Sequence, residues 1–193
     1  NDLLNMLLSS FKYNKLPNSL IFHGPKGIGK CTFAHYLINE IFLSISSDEN
    51  NTNLLYNNLH PNFRYVKKEI DEKNNKIKNY ISINQIRKLD NFLYQSSFDQ
   101  LPKFILIDCA DDLNLNSANA LLKALEEPKN NTYFILISNH CSSLLPTIRS
   151  RCIKHLISIP SSDEFKKILN FHYEELEDKN IKFLYNFSNG SPG

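Results

Sequence analysis

Residues 19–33 read S-L-I-F-H-G-P-K-G-I-G-K-C-T-F, and their order decides the fold. A short apolar run, 19 to 23, stops at a glycine. Gly24, Gly29 and Lys30 then fit the spacing G-x-x-x-x-G-K, with Gly27 inside the loop. From Lys30 to Leu43 the apolar residues Phe33, Tyr36, Leu37 and Ile41 recur at helical spacing. Strand, glycine loop and helix in that order are the setting of a phosphate-binding loop. Its glycines let backbone N–H groups turn toward anionic oxygens at a helix N-terminus, and the lysine reaches the outer phosphates. One position breaks the pattern. A Ser or Thr normally follows the lysine and ligates Mg²⁺, a hard cation that wants oxygen. Cys31 offers sulfur instead, a poor match. Thr32 comes one residue late, about 100° further round a helix. We therefore expect a loop at Gly24, Gly27, Gly29, Lys30 and Cys31 that keeps its geometry but binds MgATP weakly or not at all.

Working outward, further apolar runs at 62–70, 103–108, 132–138 and 153–158 read as strands. They are apolar throughout rather than alternating, and helical patterns separate them: 2–13 before the first strand, then 30–43, 82–94 and 114–125. That combination predicts α/β architecture, with a parallel five-stranded sheet covered on both faces in three layers. Ser82 and Gln85 have the spacing of a capping box. Residues 44–58 are polar and read as a mobile loop, and 71–79 as a solvated charged turn. Pro160 marks a boundary. It divides a core domain, 1–159, from the first part of a small helical lid, 160–193, with helices near 162–170 and 173–187.

Bulk properties exclude several classes. A chain of 193 residues can bury the core that such a domain needs. The net charge of +2 gives no dominant field for nucleic acid, so any such contact is local. No run of about 18 apolar residues occurs, so no membrane span is expected. Cys31, Cys109, Cys141 and Cys152 form no C-x-x-C pair, which argues against zinc and for free thiols in a reducing cytosol. The six histidines lack metal spacing.

A second acidic stretch is F-I-L-I-D-C-A-D-D, 104–112. A hydrolysing enzyme with a phosphate loop needs an Asp at a strand end for the metal shell. A neighbouring Glu commonly polarises the attacking water. Asp108 is present, but Cys109 stands where the Glu is wanted. Asp111 and Asp112 read as either a helix start or a solvated face. Two catalytic positions thus fail independently.

The stretch 116–152 is the most specific of the chain. It contains Asn119-Ala120-Leu121-Leu122-Lys123, Leu125-Glu126-Glu127-Pro128, Leu145-Pro146-Thr147-Ile148-Arg149 and Ser150-Arg151-Cys152. With these in order, residues 1 to about 160 and the closing S-N-G-S-P-G resemble the bacterial clamp-loader family. These are AAA+ P-loop proteins that place a ring-shaped sliding clamp on primed DNA as part of a DNA polymerase III assembly. The degenerate Walker A loop and the missing Glu resemble the delta-prime type of subunit more than the gamma/tau ATPase type. The resemblance implies a non-hydrolysing stator whose Arg151 acts as an arginine finger, reaching the ATP of a neighbouring subunit in trans. A planar cation there stabilises charge spreading onto phosphoryl oxygens. Arg149 is a weaker candidate. The competing reading of Arg151 is a surface ion pair. Implied partners are gamma/tau-type and delta-type subunits, the sliding clamp and, through the assembly, primer–template DNA, all in the bacterial cytoplasm. No cofactor is implied, and the degenerate site is completed by Asp108. Many relatives carry a four-cysteine zinc module before the His60-Pro61-Asn62-Phe63 segment, and here it has no cysteines. Ser138 and Asn139 match a nucleotide-sensor position, or else simply satisfy loop hydrogen bonds. Cys152 is expected to pack as a small apolar residue. The Glu126-Glu127 pair is expected to end a helix before Pro128. The resemblance also implies that a C-terminal collar domain is absent from these residues. An active gamma/tau-type motor, and a small-molecule kinase built on the same loop, remain as alternatives.

Overall fold

A computed structural model describes residues 2–46, 48, 50–71, 75–98, 101–172 and 178–193. The chain runs through α1 (Asp2–Lys12), β1 (Ser19–His23), α2 (Lys30–Ile45), α3 (Asn50–Tyr56) and β2 (Phe63–Val66). A small hairpin follows, β3 (Ile70–Asp71) and β4 (Lys76–Ile77), then α4 (Ile83–Tyr94) and β5 (Lys103–Ile107). The remainder is α5 (Leu115–Glu126), β6 (Thr132–Ser138), α6 (Pro146–Arg151), β7 (Ile153–Leu156), α7 (Ser162–His172) and α8 (Asp178–Phe187).

Five strands form one sheet in the order β2-β5-β6-β1-β7, and every neighbouring pair is parallel. Side chains alternate across a strand, so the strands β1, β5 and β6 each feed two cores, whereas the edge strand β7, expected to be covered likewise, leaves Ile153 and Leu156 exposed. Ile21, Ile105, Ile107, Phe134 and Leu136 face α4, α5 and α6 through Leu89, Phe92, Leu121 and Ile148. Leu20, Phe22, Phe104, Leu106, Ile135 and Ile137 face α1 and α2 through Leu7, Ala34, Leu37, Ile38 and Ile41. Burial on both faces is why these strands read as unbroken apolar runs. A satellite core of Phe165, Leu169 and Ile181, with Tyr185 against it, joins α7 to α8.

Local signals hold where they are strong. The capping box at α4 forms, with the Ser82 backbone N–H donating to Gln85 Oε1 at 3.0 Å. Asn114 caps α5 by accepting from the Ser117 N–H at 2.9 Å. Cys152 is buried in the core at 4% exposure.

Three expectations change. Residues 44–58 are not simply a loop, because Asn50–Tyr56 is a helix. Leu55 is fully buried, and Thr52 Oγ1 donates to Asn39 Oδ1 on α2 at 2.8 Å. Ser47 and Glu49 lie outside the described residues. The strand read at 62–70 ends at Val66, and Ile70 pairs instead with Ile77 in the antiparallel hairpin. The turn between the hairpin strands, 72–74, lies outside the described residues. The last strand ends at Leu156, two residues early. The helix expected over 173–187 is present as α8, and 173–177 lie outside the described residues.

His60 is part of the core. It is 0% exposed and stacks on Phe42 with ring centres 4.3 Å apart. Its Nδ1 accepts from the Asn62 N–H at 3.1 Å, so Nε2–H donates to Asn51 Oδ1 at 3.2 Å. Burial pushes its pKa down to about 4, so the ring is neutral at pH 7. The Asn62 side chain donates to the carbonyls of Phe98 and Leu101. The 60–63 segment thus ties α3, Phe98 and Leu101 to the edge strand β2.

Candidate functional site

In an open parallel sheet, ligands bind beyond the carboxyl ends of the strands. Here His23 and Ser138 are paired residues at the ends of β1 and β6, and Ile107 at the end of β5 pairs with Leu136. Chain continuity then brings the loop from Gly24, the acid Asp108 and the polar Asn139 to one edge.

The loop has the tight backbone that its glycines predict. Gly24 has φ of 151°, and a Cβ there would collide with the carbonyl oxygen of Ile157. Gly27 has φ of 80° and lies against the chain's own residues 191–193. There Ser191 Oγ donates to the Lys26 carbonyl at 2.9 Å, and the Gly193 N–H donates to the Gly27 carbonyl at 3.1 Å. Helix α2 then starts at Lys30.

Lys30 is turned back onto its own loop. Its Nζ donates to the carbonyls of Gly24 (2.8 Å) and Pro25 (2.5 Å) and to Asn139 Oδ1 (2.9 Å), which occupies all three ammonium protons. Burial lowers its pKa, against the opposing pull of Cys109, Asp111 and Asp108. Asn139, read as a sensor or a loop residue, therefore bridges the phosphate loop to the end of β6.

Cys31 and Asp108 meet through a residue that sequence reasoning missed. Tyr65, on β2, donates its hydroxyl to Asp108 Oδ2 at 2.6 Å, and the same oxygen lies 3.6 Å from Cys31 Sγ. Burial, then the bond to Asp108, raises the phenol pKa, so Tyr65 stays a protonated donor. Burial also pushes the Cys31 thiol up to about 11, which keeps it a neutral group. On its other side Cys31 lies 3.6 Å from Nδ1 of His35, one turn along α2.

Asp111 sits in a short 3-10 helix, Ala110–Asp112, as the helix-start reading expects, but its carboxylate is engaged by donors of its own chain rather than forming a solvated face. Its carboxylate accepts from Ser143 Oγ (2.6 Å), the Asn139 N–H (2.7 Å), Cys109 Sγ (2.8 Å), Ser138 Oγ (2.9 Å) and the His140 N–H (3.2 Å). Burial alone would raise its pKa, but these donors overcome that and hold the carboxyl at about 2. Asp112 pairs with Lys68 at 3.0 Å. Cys109, at the position wanted for a catalytic Glu, spends its proton on Asp111. Burial and that carboxylate push its thiol up to about 12. Among the described residues no group of three or more His, Cys, Asp or Glu side chains is arranged to hold a metal ion.

Arg151 ends α6, away from these contacts. It is exposed, and its Nη2 pairs with Glu126 Oε1 at 2.7 Å while Nη1 donates to the Thr147 carbonyl at 2.9 Å. The ion-pair reading of Arg151 therefore holds within the chain, to a partner at the end of α5. Glu126 closes that helix before Pro128, as expected. Arg149 is half-buried, with Nε unpaired. Among the described residues no helix is long and apolar enough to cross a membrane.

Comparison with known proteins agrees with this geometry. A family model described as DNA polymerase III, delta subunit, matches residues 1–161. DNA polymerase III subunit delta′ of Pseudomonas aeruginosa is 30% identical over 181 residues, which is 91% of this chain and 53% of that protein. The Bacillus subtilis subunit delta′ is 30% identical over 156 residues, 77% of this chain and 44% of the relative. Subunit gamma of Buchnera aphidicola is 27% identical over 98% of this chain and 52% of its own length. The chain thus spans about half the length of the curated relatives it matches. Two solved structures share the fold. A gamma subunit-related protein of Thermotoga maritima has a TM-score of 0.60 at 20% identity, over 86% of this chain and 49% of that one. The Thermotoga maritima RuvB Holliday junction branch migration motor has a TM-score of 0.63 at 18% identity, over 99% of this chain and 56% of that one. The three-layer sheet, the phosphate loop and these matches lead to one assignment: the chain belongs to the DNA polymerase III delta family, as a delta-prime-like member of the bacterial clamp-loader AAA+ proteins.

Proposed function

We propose that this chain is a non-hydrolysing stator of the clamp loader. It offers Arg151 to the ATP site of an adjacent gamma/tau-type subunit while a sliding clamp is loaded on primer–template DNA. The observation that carries the non-hydrolysing part is Cys109. Where a motor needs a carboxylate to polarise water, this chain has a thiol held neutral and hydrogen-bonded to Asp111 at 2.8 Å. A thiol pushed up to about 12 already carries its proton at pH 7, so it cannot act as the base that accepts one from water. Lys30, held by three acceptors of its own chain, favours the same reading. The role in trans is supported by the family and by the exposure of Arg151 at a helix end, where its ion pair with Glu126 is itself open to solvent and can be exchanged for a phosphate.

Incubating the chain with MgATP tests the first part. Phosphate release should not exceed the protein-free blank. Turnover that disappears in Lys30→Ala would instead establish an active motor of the gamma/tau type.

A further inference from the structure

We propose that Tyr65 is the specificity-determining residue of the loop. Its phenol occupies the metal position, so that any nucleotide polyphosphate the loop takes is bound without a divalent cation. This deepens the non-hydrolysing reading and rests on the same site. In a working loop the residue after the lysine and the acid at the strand end share one cation. Here those residues are Cys31 and Asp108, and the Tyr65 hydroxyl touches both, at 3.6 Å and 2.6 Å. The short bond to Asp108 is charge-assisted and among the stronger kinds of hydrogen bond.

A cation that entered would have to displace that proton donor. It would gain only sulfur from Cys31, which Mg²⁺ ligates poorly. Nor is the phenol free to swing away. Its ring packs edge-on against His35 at 5.3 Å and lies nearly parallel to Phe63 at 6.5 Å, with the Lys67 ammonium 5.4 Å from the Tyr65 ring centre. The strand beneath it is paired with β5, Tyr65 opposite Leu106, so the backbone holds the ring beside Asp108. The closure is thus built from a strand residue rather than from the loop. It acts separately from the loss of the hydroxyl at position 31.

Mn²⁺ is the probe, read by the loss of its free-ion paramagnetic resonance signal in the presence of ATP. The wild-type chain should leave the signal as ATP alone leaves it. Tyr65→Phe/Cys31→Thr should take up Mn²⁺·ATP at least tenfold more tightly than wild type. Tyr65→Phe alone keeps the ring and its packing, and should show a smaller gain in the same direction. That single variant decides the matter if the double variant does not fold. Equal uptake by wild type and a folded variant, whether both bind or neither does, overturns the proposal. Failure of the underlying reading looks different. Wild-type uptake of Mn²⁺·ATP without turnover removes only the role of Tyr65, whereas wild-type turnover removes the non-hydrolysing assignment.

Discussion

Replacing Asp111 with asparagine should loosen the whole edge on which the site is built. The carboxylate gathers five donors from the ends of β5 and β6, two of them backbone N–H groups. The interval between the ordinary carboxyl value of 3.8 and the folded value of about 2 is worth roughly 2.4 kcal/mol at most. Asp111 is partly open to solvent, which brings this to about 2 kcal/mol. The sign follows from proton uptake. The unfolded chain binds a proton at Asp111 before the folded chain does. The stabilisation is therefore complete above pH 3.8 and lost as pH falls through 2, with about half of it gone by pH 3. With a urea slope of about 2 kcal/mol per molar, Asp111→Asn should lower the unfolding midpoint at pH 7 by about 1 M. The asparagine also turns an NH₂ toward groups that are themselves donors, which can only widen the difference at pH 7. The pH-dependent part isolates the charge. Urea unfolding followed by circular dichroism at pH 7, 5, 4 and 3 should show the two midpoints converging below pH 4. A gap under about 0.3 M at pH 7, or one of constant size from pH 5 to 3, would refute the hub.

Other perturbations read different parts of the structure. His60 is held neutral, so the unfolded chain takes up a proton below pH 6.5 that the folded chain refuses until about pH 4. Stability should fall by up to about 3 kcal/mol across that window, and His155, also lowered by burial, acts in the same sense. A urea midpoint that stays flat from pH 7 to 5 would contradict this. Phe42→Ala removes a fully buried ring that stacks on His60 and meets Phe104 edge-on at 5.7 Å. It should cost about 3–5 kcal/mol in thermal or urea unfolding. The Glu126–Arg151 pair is partly exposed, and Glu126→Ala should change stability by less than about 1 kcal/mol.

The parts of the fold that were legible in sequence were those with local signals. The run from Ser19 to Phe33 carries strand, loop and helix without help from elsewhere, and α4 and α5 carry their own caps. The site was legible only as far as its motif positions. Lys30, Cys31 and Asp108 could be placed by spacing, but what they touch could not. Tyr65 reaches Asp108 across 43 residues, and Asn139 reaches Lys30 across 109. Such pairings are created by strand order, which spacing does not encode. The partners of Asp111 escaped for the same reason, since four of its five donors come from residues 138–143. Helix α3 escaped because its polar residues resemble a loop until Asn39, His60 and the apolar cluster that buries Leu55 are brought beside it.

The role of Arg151 in trans is tested most directly by ATP turnover of an assembled clamp loader that carries Arg151→Ala in this subunit. Turnover is measured with sliding clamp and primed DNA present, after assembly has been verified. Turnover should fall steeply, by up to the roughly 10³–10⁵-fold that arginine fingers can contribute. Turnover equal to that of the wild-type complex would contradict that role.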